Sequence, residues 1–219
     1  MRMDFHRQLD LLRADTSAMC GLAGDAVGRA TDGLLDVDAE MAGRVVLDVE
    51  QLRTMHNGVE RRTLSLLARQ APVAGDLRAV VTAIHVAADA DRMGGLAAHV
   101  ARVCLRYHPE SPIPAEMRGH FEEMGRLAIE LAERCRVALL DVDCAQARLV
   151  RRDDRAMETL HRELFAAVMS PQWAHGAGVA SDVVLLGRFY GRFADHAEAI
   201  ARRLIFQADG PPADRECAV

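Results

Sequence analysis

The sequence predicts an all-α protein: two tandem, pseudo-repeated three-helix bundles, six long helices in all. Three observations predict it. Half of the 219 residues are hydrophobic but only 4% are aromatic, so the core is Leu, Val, Ala and Met, a mix that favours helices over a β-sandwich. Apolar residues recur at three- and four-residue spacing over long stretches. The segment Leu34-Leu35-Asp36-Val37-Asp38 returns unchanged as Leu139-Leu140-Asp141-Val142-Asp143, an offset of 105 residues (139 − 34), which marks an internal duplication.

The first helix is expected over residues 3–35, with Phe5, Leu9, Leu12, Met19, Ala23, Ala26, Ala30 and Leu34 on one stripe and Thr16 interrupting it. Asp36-Val37-Asp38 makes a turn, and Asp38 has the chemistry of an N-cap. The second helix carries Val45, Val49, Leu52, Val59 and Leu66 on its stripe. The chain then pivots on Gln70-Ala71-Pro72-Val73-Ala74-Gly75-Asp76-Leu77-Arg78. Pro72 lacks an amide hydrogen and drives Ala71 out of the right-handed α region, so the second helix must stop. Gly75 and Asp76 sit near the start of the third helix, where an acid suits the positive helix end. From Val73 to Tyr107 no proline intervenes, which allows a helix of up to about 50 Å. One that long needs companions of similar length. Its seam is Ala83, Val86, Ala90, Met93, Ala97, Val100 and Cys104, an unbroken heptad series. Its outer face, rich in Ala and Gly and carrying Leu77, Val80, Val81 and Ile84, calls for a cover: a dimer mate, a signalling partner or the other three-helix unit. Gly94-Gly95 reads as a point of close helix packing.

Pro109, Pro112 and Pro114 make residues 109–114 a semi-rigid linker. It divides a first repeat (residues 1–108) from a second (115–210), and residues 211–219 form a short polar tail expected to be mobile. At the offset of 105, Met19, Leu22 and Ala23 match Met124, Leu127 and Ala128, while Val45, Asp48 and His56 match Val150, Asp153 and His161. The last helix aligns at an offset of 100, with the turn near Ser170-Pro171 read as the shorter part. Its seam, Val183, Leu186, Tyr190, Phe193, Ala197, Ile200 and Leu204, matches that of the third helix residue for residue.

Composition narrows the function. A formal charge of −5 argues against nucleic acid as the main partner. No apolar run reaches the roughly 18 residues of a membrane span, and Met1-Arg2-Met3-Asp4-Phe5-His6 has no signal-peptide core, so a cytoplasmic location is expected. Cys20, Cys104, Cys135, Cys144 and Cys217 form neither a disulfide framework nor a zinc cluster. There is no Gly-rich phosphate loop and no nucleophile elbow. Glu158-Thr159-Leu160-His161 has the Glu-x-x-His form of di-iron proteins, but its counterpart is Arg53-Thr54-Met55-His56, and that chemistry needs the motif twice. His56 and His161 read as buried histidines with one hydrogen-bond partner each.

Three segments, Gln70 to Arg78, Asp89-Ala90-Asp91-Arg92-Met93-Gly94 and Arg192-Phe193-Ala194-Asp195-His196, resemble the PhoU family of bacterial phosphate-signalling regulators. The resemblance spans about residues 3 to 208, in order and duplicated. It implies a PhoU-like pair of three-helix bundles side by side, and a non-enzymatic adaptor that represses phosphate-starvation signalling. The implied partners are the Pst phosphate ABC transporter, a PhoR-type sensor histidine kinase and a second copy of the chain. Pro72, Asp76, Arg78, Arg92, Arg192 and His196 are then family-motif residues without an assigned role. Some PhoU-like proteins bind metal clusters through acid-x-x-x-Asp motifs; here Gly95 replaces the second acid of the first copy and Gly191 the first acid of the second.

A substitute clamp is open to the sequence. If the second and third helices form an antiparallel hairpin, Asp48 lies level with Asp91, and Asp153 with Asp195. Each pair would then share a divalent cation, iron or zinc, or a proton. Against this, the acids would simply pair with Arg92, Arg152, Arg188 and Arg192. An adaptor and a metal-binding carboxylate bundle are thus the two functional readings.

Overall fold

The computed structural model describes residues 2–210, with side chains from Phe5 onward; the expected tail lies outside them. Among the described residues there are six α-helices: α1 (Arg2–Asp36), α2 (Ala39–Gln70), α3 (Ala74–Tyr107), α4 (Arg118–Asp141), α5 (Cys144–Val168) and α6 (Gly176–Asp209), with one 3-10 turn, Ala115–Met117, before α4.

The duplicated pentapeptide is a duplicated turn. Val37 and Val142 adopt the left-handed conformation, with φ of 57° and 52°, at a cost of about 1–2 kcal/mol each. Each reverses the chain so that the next aspartate caps a helix. Asp38 accepts from the Met41 amide at 2.9 Å; Asp143 accepts from the Ala145 and Gln146 amides at 2.7 and 3.3 Å. At the pivot, α2 stops at Gln70 and Ala71 turns left-handed, at φ 41°, as the residue before Pro72 must leave the right-handed helix.

The seams of α3 and α6 are buried throughout, as are Val45, Leu52, Val59 and Leu66 of α2. Thr16, which breaks the α1 stripe, is buried, and its hydroxyl donates to the Leu12 and Arg13 carbonyls at 2.9 and 3.0 Å. The group is therefore satisfied within its own helix. One expectation is corrected: the second repeat is shortened in its helix rather than its turn. Helix α5 has 25 residues against 32 in α2, and ends three residues before Pro171, which cannot continue a helix.

Helix α2 packs on α1 and α3, and α5 packs on α4 and α6; the repeats join where α1 meets α4 and α3 meets α6. Both joints are antiparallel. Along one, Ser17 donates to the Arg136 carbonyl at 2.9 Å, and at its far end Arg118 pairs with Asp36 at 2.9 Å. Along the other, Arg78 reaches the Gln207 carbonyl at 3.3 Å, and Arg106 and Tyr107 both reach Asp182. The buried side chains of both repeats form one hydrophobic cluster. The cover over the outer face of α3 is thus the second repeat: Val80 is fully buried, while Leu77 and Val81 stay exposed.

Close approach at the α1–α4 joint depends on Gly125. A Cβ there would lie 2.5 Å from the Thr31 methyl and 2.7 Å from its hydroxyl. Thr31 cannot retreat, because its hydroxyl is bonded to the Val27 carbonyl at 2.7 Å and to the buried Tyr190 hydroxyl at 2.8 Å. Gly94 is a second close approach, against Leu52, whereas nothing stands near a Cβ at Gly95. Gly125→Ala is therefore expected to destabilise the protein by about 1–3 kcal/mol in urea denaturation. Gly119→Ala, with nothing around its Cβ, should leave stability unchanged or slightly raised. Equal effects would contradict the tight joint.

Candidate functional site: the grooves of the outer hairpins

Each repeat opens a polar groove between its second and third helices, and the two grooves are built from matching positions. In the second repeat, Asp154, Glu158 and His161 of α5 face Arg188, Gly191 and Asp195 of α6 around a cavity of about 440 Å³. In the first, Glu50 and Arg53 of α2 face Asp91, Arg92, Gly95, His99 and Arg102 of α3, and Arg192 and His196 of α6 close a cavity of about 500 Å³. Arg192 lines both grooves.

Matching positions carry different charge. Asp154, Glu158 and Asp195 of the second groove stand where the first has Val49, Arg53 and Gly95. The effect is visible at Asp154, whose carboxyl is raised from its ordinary 3.8 to about 6 by burial and then by the charges of Glu158, Glu198 and Asp195. The histidines diverge too. His56 Nδ1 meets Asp91 Oδ2 at 3.4 Å, the single partner expected of it. His161 Nδ1 is buried without a hydrogen-bond partner, because Gly191 stands where Asp91 stands in the first copy.

The four aspartates of the expected clamps are placed differently. Asp48 pairs with Arg29 of α1 at 2.6 Å, and Asp153 lies 2.9 Å from Arg134 Nε of α4, outside hydrogen-bond geometry. Arg29 and Arg134 are themselves 105 residues apart (134 − 29), as are Asp48 and Asp153 (153 − 48). The same internal ion pair therefore ties the second helix to the first in both copies, and both acids turn away from the third. Asp91 is engaged by His56, and Asp195 lies 3.6 Å from Arg192. Among the described residues no group of three or more His, Cys, Asp and Glu is placed to hold a metal ion. The sequence reading missed Asp154. The signal was available: Asp154, Glu158 and His161 follow a four–three spacing along one face of α5, and Asp153 does not.

The family-motif residues have definite places. Pro72 makes the α2–α3 turn and Asp76 lies in the first turn of α3. Arg78 bridges the repeats through the Gln207 carbonyl. His196 Nδ1 meets Asp89 Oδ1 of α3 at 3.0 Å, and Arg203 donates to Asp89 Oδ2 at 2.7 Å. Arg92 and Arg192 lie on the first groove. The buried thiols offer no nucleophile: burial pushes Cys20 up to about 12 and Cys135 well above its ordinary range, and only a thiolate attacks.

A family model described as the PhoU domain matches the chain twice, over residues 16–104 and 121–204. The "Phosphate-specific transport system accessory protein PhoU homolog 2" of Mycobacterium tuberculosis is 50% identical over 210 residues, covering 96% of this chain and 99% of that protein. The homolog 1 protein of Mycobacterium leprae is also 50% identical, over 96% and 95% of the two chains. The crystal structure of PhoU from Streptococcus pneumoniae superposes with a TM-score of 0.85 at 21% identity, over 96% of this chain and all (100%) of that one. PhoU from Pseudomonas aeruginosa gives 0.84 at 25% identity, over 94% and 99%.

Asp154 yields a pH-dependent prediction. Its folded pKa is raised, so the folded state holds the proton more tightly than the unfolded chain. The stability this gives is full below about pH 4 and is lost as pH rises through about 6. Asp154→Asn removes the loss. Urea denaturation should find it more stable than the parent above pH 6 by about 1 kcal/mol, after allowing for solvent screening of this half-buried group. The difference should vanish near about pH 4. A pH-independent difference would contradict the electrostatic account.

Proposed function

The chain belongs to the PhoU family, and on that premise we propose that it is a cytoplasmic, non-enzymatic negative regulator of phosphate-starvation signalling and phosphate uptake. It acts as a helical adaptor between the Pst phosphate ABC transporter and a PhoR-type sensor histidine kinase. The observation that carries this reading is the near full-length identity to proteins named as phosphate-specific transport system accessory proteins. The fold suits the role. Two repeats locked into one body present two differently charged grooves on one continuous scaffold, so that two partners can be held at a fixed separation. No described helix is long and apolar enough to cross a membrane, so membrane association would run through the partners. A homodimer belongs to the same proposal: Val73, Leu77 and Val81 of the α3 start, four residues apart and exposed, leave an apolar stripe for a second copy.

The other reading, a cation site in the bundle, has less to stand on: Asp154, Glu158 and Asp195 line one groove but are not grouped to hold a metal ion. Its mark would be stoichiometric divalent metal that is lost in Asp154→Asn and Asp195→Asn.

The adaptor is tested in two measurements. Deleting the gene should leave phosphate-starvation promoters active in phosphate-rich medium, and a plasmid copy should restore repression. The purified protein should retain the cytoplasmic portion of the kinase in a pull-down. Normal repression in the deletion strain, together with no retention, would overturn the proposal.

A further inference from the structure

The first-repeat groove carries positive charge that the fold does not use. Four guanidinium groups line it, those of Arg53, Arg92, Arg102 and Arg192, with two carboxylates, Glu50 and Asp91, on the same walls. Both carboxylates are already engaged: Glu50 with Arg53 at 3.4 Å, and Asp91 with His56 at 3.4 Å. Arg192 is only loosely held, 3.6 Å from Asp195. Arg92 and Arg102 make no hydrogen bond or ion pair with any described residue. The groove is concave, with Val49, Leu96 and the buried Ala98 among its lining residues, and a cleft lined mainly by one sign of charge focuses the field of the arginines.

Two further features shape the site. Gly95 is at the groove wall and a Cβ there would meet nothing within 4 Å. The position that supplies Asp195 to the other groove therefore supplies open space and no negative charge to this one. His99 is held in place by stacking on Phe189 of α6, with ring centroids 5.2 Å apart. Burial and the charge of Arg102 lower its pKa, as expected of a ring beside unneutralised cations.

We infer that this groove binds a small molecule bearing several phosphate groups, gripped by Arg92 and Arg102 of α3 with Arg53 and Arg192 closing from either side. The phosphate class follows from number and geometry. Four guanidinium forks in a cavity of about 500 Å³, less the carboxylates of Glu50 and Asp91, leave a net charge of +2 (4 − 2), which suits a multiply charged anion with several oxygen faces. Each fork can take two oxygens of one phosphate. With no Gly-rich loop or helix N-terminus in the site, the grip is by side chains alone, and it weakens with salt. The inference rests on the charge and shape of the groove and stands apart from the adaptor reading.

Isothermal titration of the full-length protein with sodium tripolyphosphate at low ionic strength tests it, with ATP and citrate as comparators. The expected result is one site per chain, with binding weakened about tenfold or more by Arg102→Gln and also by Gly95→Asp, which places a carboxylate in the open space. Arg188→Gln, confined to the other groove, should leave binding unchanged. Thermal melts of each variant separate loss of the site from loss of the fold. Equal binding of ATP and tripolyphosphate would mean that the triphosphate is read whatever carries it; tripolyphosphate alone would mean an inorganic chain. The proposal is overturned by no binding of either phosphate compound, by binding that survives both Gly95→Asp and Arg102→Gln in folded protein, or by citrate binding as tightly.

Discussion

The joint between the repeats turns on one buried carboxylate. Asp89 is 8% exposed, on a helix otherwise lined at that level by Val86, Ala90 and Met93, and among the described residues it has no hydrogen-bond or ion-pair partner in its own repeat. Both its partners, His196 and Arg203, come from α6 of the other repeat. An unpaired charge at that depth would cost several kcal/mol, so α3 is stable only with α6 laid against it in this register. The site is also where the central helices converge. Cys20 of α1 and Cys135 of α4 are close enough for the charge of Asp89 to contribute to holding their thiols protonated.

Duplication did not leave the joint symmetric. The counterparts of Asp89, His196 and Arg203 in the other repeat are Phe189, Leu96 and Val103, all packed against or within the core. The buried triad of one half of the α3–α6 contact is therefore ionic and its counterpart apolar, while the far end of the apolar half carries the more exposed Arg106–Asp182 pair. The apolar triad supplies burial without preference for partner, and the Asp89 triad adds direction to which face meets which. The same divergence runs outward to the grooves. There the internal pairs Arg29–Asp48 and Arg134–Asp153 are shared, while the facing residues have exchanged charge for space. The shared pairs hold each hairpin to its bundle, and the divergent residues give each hairpin its own surface.

The helices were legible because burial imposes a period. Every seam residue read for α3 and α6 is inside, and the duplicated turn was visible as five identical residues. The joint was not legible, because contact between two units adds no period of its own. The extra apolar face of α3 signalled that something covers it without saying what. The grooves were half legible. Equal distance from a turn put Asp48 level with Asp91, but His56 meets Asp91 and Leu52 lies against Gly94, which sets Asp48 about two helical turns away. Nor does equal distance say which way a side chain points. One residue along a helix is about 100° of rotation, and that separates Asp153, turned toward Arg134, from Asp154, turned into the groove. Likewise, the change of offset from 105 to 100 recorded that the second hairpin is shorter but not that the loss falls in α5.

The Asp89 pairing is the constraint that unites the repeats, and a double-mutant cycle tests it directly. Asp89→Asn, His196→Gln and the double variant would be compared by urea denaturation, with tryptophan fluorescence and circular dichroism recorded together. The account predicts one cooperative transition in the parent by both probes, and a double variant less destabilised than the sum of the singles by about 1–3 kcal/mol. Additivity within about 0.5 kcal/mol, or two separate transitions in the parent, would contradict it.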